Sequence, residues 1–132
     1  MGEAATAEPS TEKLRELGAA LHEITAALRD LGPGRRRRWF QGPVYADLIV
    51  DFVDDALTRF ELTFEGQWLA VEREGIATGR TDEHTADSVV PVSKLVTRDS
   101  ESSAETIAAA RAVLSALCDA ELRDALLAML GG

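Results

Sequence analysis

The sequence predicts an α+β fold: an N-terminal helix, an antiparallel meander sheet of three to five strands, and two C-terminal helices packed on one face. Three observations carry this. Apolar residues recur at helical spacing near the start, they alternate with polar residues through the middle, and they return to helical spacing at the end. Strands grouped together with helices at the two ends point to α+β rather than to alternating α/β units.

Residues 1–9 are small and polar and end in Pro9, which reads as a disordered tail before a single domain over 10–132. Ser10 can cap a helix whose first turn holds Glu12. Leu14, Leu17, Leu21, Ile24, Leu28 and Leu31 then follow at spacings of 3, 4, 3, 4 and 3, with Gly32-Pro33 as the stop. Core packing on the sheet is the leading use of that stripe, and pairing with a second copy or a partner helix is the other.

The period then changes to two. Ala46, Leu48, Val50 and Phe52 share one strand face, with Asp47 and Asp51 on the other. Phe60, Leu62 and Phe64 alternate with charged and hydroxyl residues, and Glu65-Gly66 turns the chain into 67–73, so a hairpin is expected. Asp54-Asp55 supplies the preceding turn, Arg37–Phe40 begins the sheet, and Ile76–Arg80 adds a short edge strand. Val89-Val90-Pro91-Val92 is a further edge candidate because proline cannot donate to a ladder. Ser102 with Glu105 reads as a capping box for a helix lined by Ile107, Ala110, Leu114 and Leu117. Asp119 recaps a last helix carrying Leu122, Leu126, Leu127, Met129 and Leu130.

A chain of 132 residues buries enough surface to fold without staples. Cys118 is the single cysteine, so no internal disulfide forms, and it reads as a small buried hydrophobe. Twelve arginines against two lysines suggest a bacterial source. Neither a secretory leader nor an apolar run near ~18 residues is visible, which makes the cytoplasm the expected address. The opening Met1-Gly2-Glu3-Ala4-Ala5-Thr6 fits a loose myristoylation pattern, discounted for a bacterial chain. A net charge of −9 repels nucleic acid and anionic lipid at long range.

The candidate partner-binding residues are Arg35, Arg36, Arg37, Arg38 and Trp39, together with Trp68. Four guanidiniums beside an aromatic pair suit phosphate or base contact, or an acidic protein partner. The bland alternative is an exposed connector. With +4 in the run, the remainder carries −13, and phosphate affinity rests on many summed contacts, so protein contact leads. Trp68 and Ala70 point opposite to Leu69 and Val71, which leaves apolar surface on the far side whichever pair is buried. With Ile49 and Tyr45 this makes a candidate contact patch.

Other clusters carry less. Asp47 and Asp51 lie about 13 Å apart along a strand, too far to share a metal ion or a proton. Thr81-Asp82-Glu83-His84 with Asp87 gathers three carboxylates and a histidine but lacks the glycine spacing of an EF-hand, and His22 belongs to the polar side of the first helix. There is no nucleophile elbow and no phosphate-cradling glycine loop. The sequence therefore predicts no cofactor, metal or catalytic residue, and a binding module rather than an enzyme.

The progression Arg38-Trp39-Phe40, Ala46-Asp47-Leu48-Ile49-Val50, Arg59-Phe60-Glu61-Leu62 and Gly79-Arg80-Thr81-Asp82-Glu83 resembles a group of small uncharacterised bacterial proteins with an "RWF…DLIV…FQL…RVDDGE" order. The resemblance covers about residues 37–83. This sequence departs from it at Arg59–Glu65 and lacks the glycine that follows the acidic pair, and the resemblance implies no activity. Three functions remain as expectations. The first is a non-catalytic protein-interaction module, an adaptor or regulatory subunit. The second is a secretion-chaperone-like homodimer holding a client protein. The third is a nucleic-acid or anionic-ligand binder acting through Arg35–Arg38.

Overall fold

The computed structural model describes residues 11–24, 29–30, 32–43, 46–81 and 96–131. Helix α1 (Thr11–Ala19) leads into β1 (His22–Glu23), β2 (Arg29–Asp30), β3 (Arg35–Gln41), β4 (Asp47–Val53) and β5 (Ala56–Phe64). There follow β6 (Gln67–Glu72), β7 (Gly75–Thr81), β8 (Val96–Arg98), α2 (Ala104–Ser115) and α3 (Ala120–Leu130). Strands β3 to β8 lie in chain order, each antiparallel to the next, and β1 and β2 both pair with the outer edge of β3. The α+β meander flanked by helices is thus the architecture. The strand number exceeds the three to five expected, because pieces of two or three residues are too short to show an alternation.

The hairpins follow from turn chemistry. Asp54 and Asp55, at φ 52° and 67°, both take the left-handed conformation between β4 and β5. Glu65 and Gly66, at φ 47° and 75°, do so between β5 and β6. Two-residue turns of this hand match the twist of the strands they join, and Asp and Gly tolerate the conformation best. The register slips between Asp51 and Phe52, which leaves Thr58 as an extra residue on β5; its hydroxyl donates to the Asp51 carbonyl at 3.2 Å.

Alternation then sorts the sheet. Phe40, Leu48, Val50, Phe60, Leu62, Phe64, Leu69 and Val71 face inward and are buried. They form one core with Leu14, Leu17 and Leu21 of the N-terminal segment, with Ala110, Val113, Leu114 and Leu117, and with Leu122, Leu126 and Leu130 of α3. The helices therefore cover this one face. Asp119 caps α3 by accepting from the Leu122 amide at 3.1 Å, and Gly131 closes it at φ 109°. Helix α2 starts one residue later than the capping-box spacing implies. Ser103 is its cap, accepting from the Thr106 amide at 3.2 Å, while the Ser102 hydroxyl donates to the Ile76 carbonyl.

The largest departure lies in the first helix. The leucine stripe predicts a helix to Leu31, yet α1 ends at Ala19. Its last turn tightens, with the Leu21 amide donating to the Gly18 carbonyl at 3.2 Å, and the chain then turns into β1. There His22 and Glu23 pair with Gln41 and Phe40, and the Ile24 amide donates to the Trp39 carbonyl at 2.8 Å. The unpaired edge of β3 captures this segment, and Leu21 stays buried even though it is no longer helical. Gly32-Pro33-Gly34 is accordingly not a helix stop but the turn from β2 into β3. Ile76–Arg80 is likewise not an edge, since β8 pairs with Gly79–Thr81. Ser10, Leu28, Leu31, Tyr45, the 82–87 loop and the 89–92 strand candidate lie outside the described residues.

Candidate interaction face

The arginine run is a strand, so its residues alternate between faces rather than forming one cluster. Arg35, Arg37 and Trp39 point away from the helices, while Arg36, Arg38 and Phe40 point toward them. On the helix side Arg36 lies 5.4 Å over the Phe52 ring and Arg38 lies 5.1 Å over Phe40. Arg38 grips Glu23 with two bonds of 2.9 and 2.8 Å and reaches the Asp119 cap at 3.5 Å. One guanidinium thereby ties β1, β3 and the start of α3 together. On the far side Arg37 holds Asp51 directly across the ladder, at 2.7 and 3.1 Å. Arg35 and Arg36 are exposed and make no ion pair with a described residue.

These pairings have a pH consequence. The hydrogen bond from Arg38 holds the Glu23 carboxyl below its ordinary value of 4.5, and burial opposes that shift. A carboxylate whose folded pKa is depressed stabilises the fold above its unfolded pKa, and that stabilisation is lost as pH falls through the folded value. Wild type is expected to exceed Glu23→Gln in stability by at most about 1 kcal/mol at neutral pH, since the pair keeps some solvent contact. Melting temperatures recorded from pH 7 to pH 3 should converge below 4.5.

The face turned away from the helices is built of charged pairs around two tryptophans. The Trp39 indole donates to Asp47 at 3.2 Å, and the Trp68 indole donates to Glu61. Arg59 bonds Glu72 at 2.8 Å and approaches Glu61 at 3.5 Å. Trp68 is nearly sealed, at 8% exposure, and Ala70 is buried beside it. The exposed apolar patch expected around Trp68 and Ala70 is therefore corrected: on this face the indole nitrogen and ring are spent against neighbouring groups. Trp39 and Ile49, opposite one another in the ladder, remain half-buried.

Next to Trp68 the surface dips into an open depression of about 610 Å³. Arg59, Glu61, Glu72 and Glu74 line it with Trp68, and small residues of β6 and β7 give it depth: Ala70, Gly75 and Ala77. Alanine opposite alanine (Ala70 against Ala77) leaves room that larger cross-strand pairs would fill. The periodicity placed Trp68 with Ala70 and Arg59 with Glu61, but the depression depends on which small pairs the register brings opposite each other.

The remaining candidates have other settings. Cys118 is exposed rather than buried, because it falls in the short link between α2 and α3, and its thiol lies 3.5 Å from the Ala19 carbonyl. His22 sits on β1, exposed, not on a helix. Asp47 and Asp51 serve Trp39 and Arg37 as described. Among the described residues no group of three His, Cys, Asp or Glu side chains is placed to hold a metal ion, and no helix is long and apolar enough to cross a membrane.

Compared with known proteins, the chain matches no family model, no curated protein and no solved structure.

Proposed function

We propose that the chain is a non-catalytic protein-interaction module of a bacterial cytoplasm, an adaptor or regulatory subunit. It docks through the sheet face turned away from its helices and through the Arg35–Arg36 corner at the start of β3. The observation that carries this is Trp39 on that face, half-buried opposite Ile49 and with its indole N–H fixed on Asp47. Aromatic and arginine side chains supply most of the energy in protein interfaces, and groups held in place before contact lose less entropy on binding. The ion pairs among them fix the pattern of charge that a partner must complement. The arginine corner favours a partner with local acidic groups, and only its two exposed arginines are available for that role. Arg37 and Arg38 serve the fold.

A photo-crosslinker tests the proposal. Ile49→p-benzoylphenylalanine places the probe on the face, and Glu121→p-benzoylphenylalanine places it on exposed helix surface as a control. Position 49 is expected to give one adduct, identifiable by mass spectrometry and reproduced with the purified partner, that position 121 does not give. Arg35→Glu with Arg36→Glu should reduce its yield severalfold without lowering the melting temperature. Equal labelling from both positions would overturn the assignment of this face.

A further inference from the structure

We infer that the depression beside Trp68 receives a basic side chain, a lysine or arginine carried by an extended segment of the partner protein. The inference rests on the docking proposal above and names what that face recognises.

Charge selects the occupant. Among the described lining residues Glu61, Glu72 and Glu74 stand against the guanidinium of Arg59, so that lining is net acidic. That guanidinium is already committed, to Glu72 at 2.8 Å and to Glu61 at 3.5 Å, which leaves no free cation among the described lining residues to receive an anionic group. Glu74 is exposed at the margin. The chain as a whole carries −9, which adds attraction for a basic partner at long range.

Shape selects it further. The base is apolar, with the buried Ala70 and Trp68 and the half-buried Ala77, and the carboxylates of Glu72 and Glu74 stand at the exposed margin. A long basic side chain has the same division, an apolar stem and a charged head, and lies most favourably with the stem on apolar surface and the head among carboxylates. The volume, about 610 Å³, falls within the ~300–1,000 Å³ typical of ligand pockets, so the stem enters with part of its own backbone.

The test uses the full chain labelled with ¹⁵N and four acetylated pentapeptide amides, alanine throughout except for a central lysine, arginine, norleucine or glutamate. The lysine and arginine peptides are expected to shift the Trp68 indole N–H and the Ala70 and Ala77 amides saturably. The norleucine peptide, which keeps the stem without the charge, and the glutamate peptide should leave them in place. Glu72→Gln with Glu74→Gln should weaken the basic peptides at least fivefold, and Ala77→Leu, which fills the base, should abolish the shifts. Melting temperatures of both variants show that they fold. Equal shifts from norleucine or glutamate would overturn the inference, as would spermidine binding more tightly than either basic peptide. If crosslinking at position 49 still captures a partner while basic peptides fail here, the docking proposal stands and this inference falls. If both fail, the face itself is wrongly assigned.

Discussion

Gly18→Ala is expected to cost about 3 kcal/mol of stability, at the upper end for overpacking a closed core, and to lower the melting temperature by roughly 10 °C. Gly18 lies in α1 where it crosses α2, and a methyl group built there overlaps the Val113 carbonyl oxygen. The clash is with backbone, which no rotamer change relieves. Val113 and Leu114 are fully buried against the sheet, so α2 cannot retreat without opening the core. Alanine favours a helix over glycine by about 1 kcal/mol, which is too little to reverse the sign. Gly66→Ala is the comparison. Its added methyl meets nothing within 4 Å, so only the left-handed φ of 75° resists it, at about 1–2 kcal/mol. Chemical denaturation of the two variants beside wild type would decide the matter. A Gly18→Ala protein as stable as wild type would show that the two helices do not cross this closely.

Thr78→Val is expected to cost about 1–2 kcal/mol although the two side chains are nearly isosteric. Thr78 faces inward on β7 and is almost completely buried. Its hydroxyl donates to Asp99 at 2.6 Å and accepts from the Ser103 amide at 2.8 Å. Ser103 is the cap of α2, so one hydroxyl joins the sheet to the start of that helix. Valine would leave the half-buried Ser103 amide without its acceptor, and that amide carries most of the cost, because the exposed Asp99 carboxylate turns to water. Thr78→Ser keeps both bonds and loses a methyl, so it should cost under about 1 kcal/mol. Amide exchange at Ser103 separates the mechanisms. It should accelerate in the valine variant and stay near wild type in the serine variant.

Residues Thr78 and Gly18 also mark where sequence pattern stops informing. A threonine in a polar-looking stretch and a glycine inside a helical stripe carry no periodic signal. Each matters only because another segment approaches it: Asp99 and Ser103 in one case, Val113 in the other. Two-residue turns were legible because Asp54-Asp55 and Glu65-Gly66 interrupt alternating runs and suit the backbone conformation they adopt. Asp119 was legible as a cap for the same local reason. The arginine run was legible as a feature but not as an arrangement. Its division between Asp51 on one side and Glu23 with Asp119 on the other required the strand and its neighbours.

From its order of residues alone the chain determined the class of fold, the hairpins and the inward set of apolar residues, since these depend on backbone periodicity and turn preference within a few neighbours. Tertiary structure decided where α1 ends, which arginines stay exposed, how far Trp68 is sealed and that a depression lies beside it. Those outcomes depend on competition between distant segments for the edge of β3, the face of β6 and the carboxylates across the ladder, and no local preference encodes the winner.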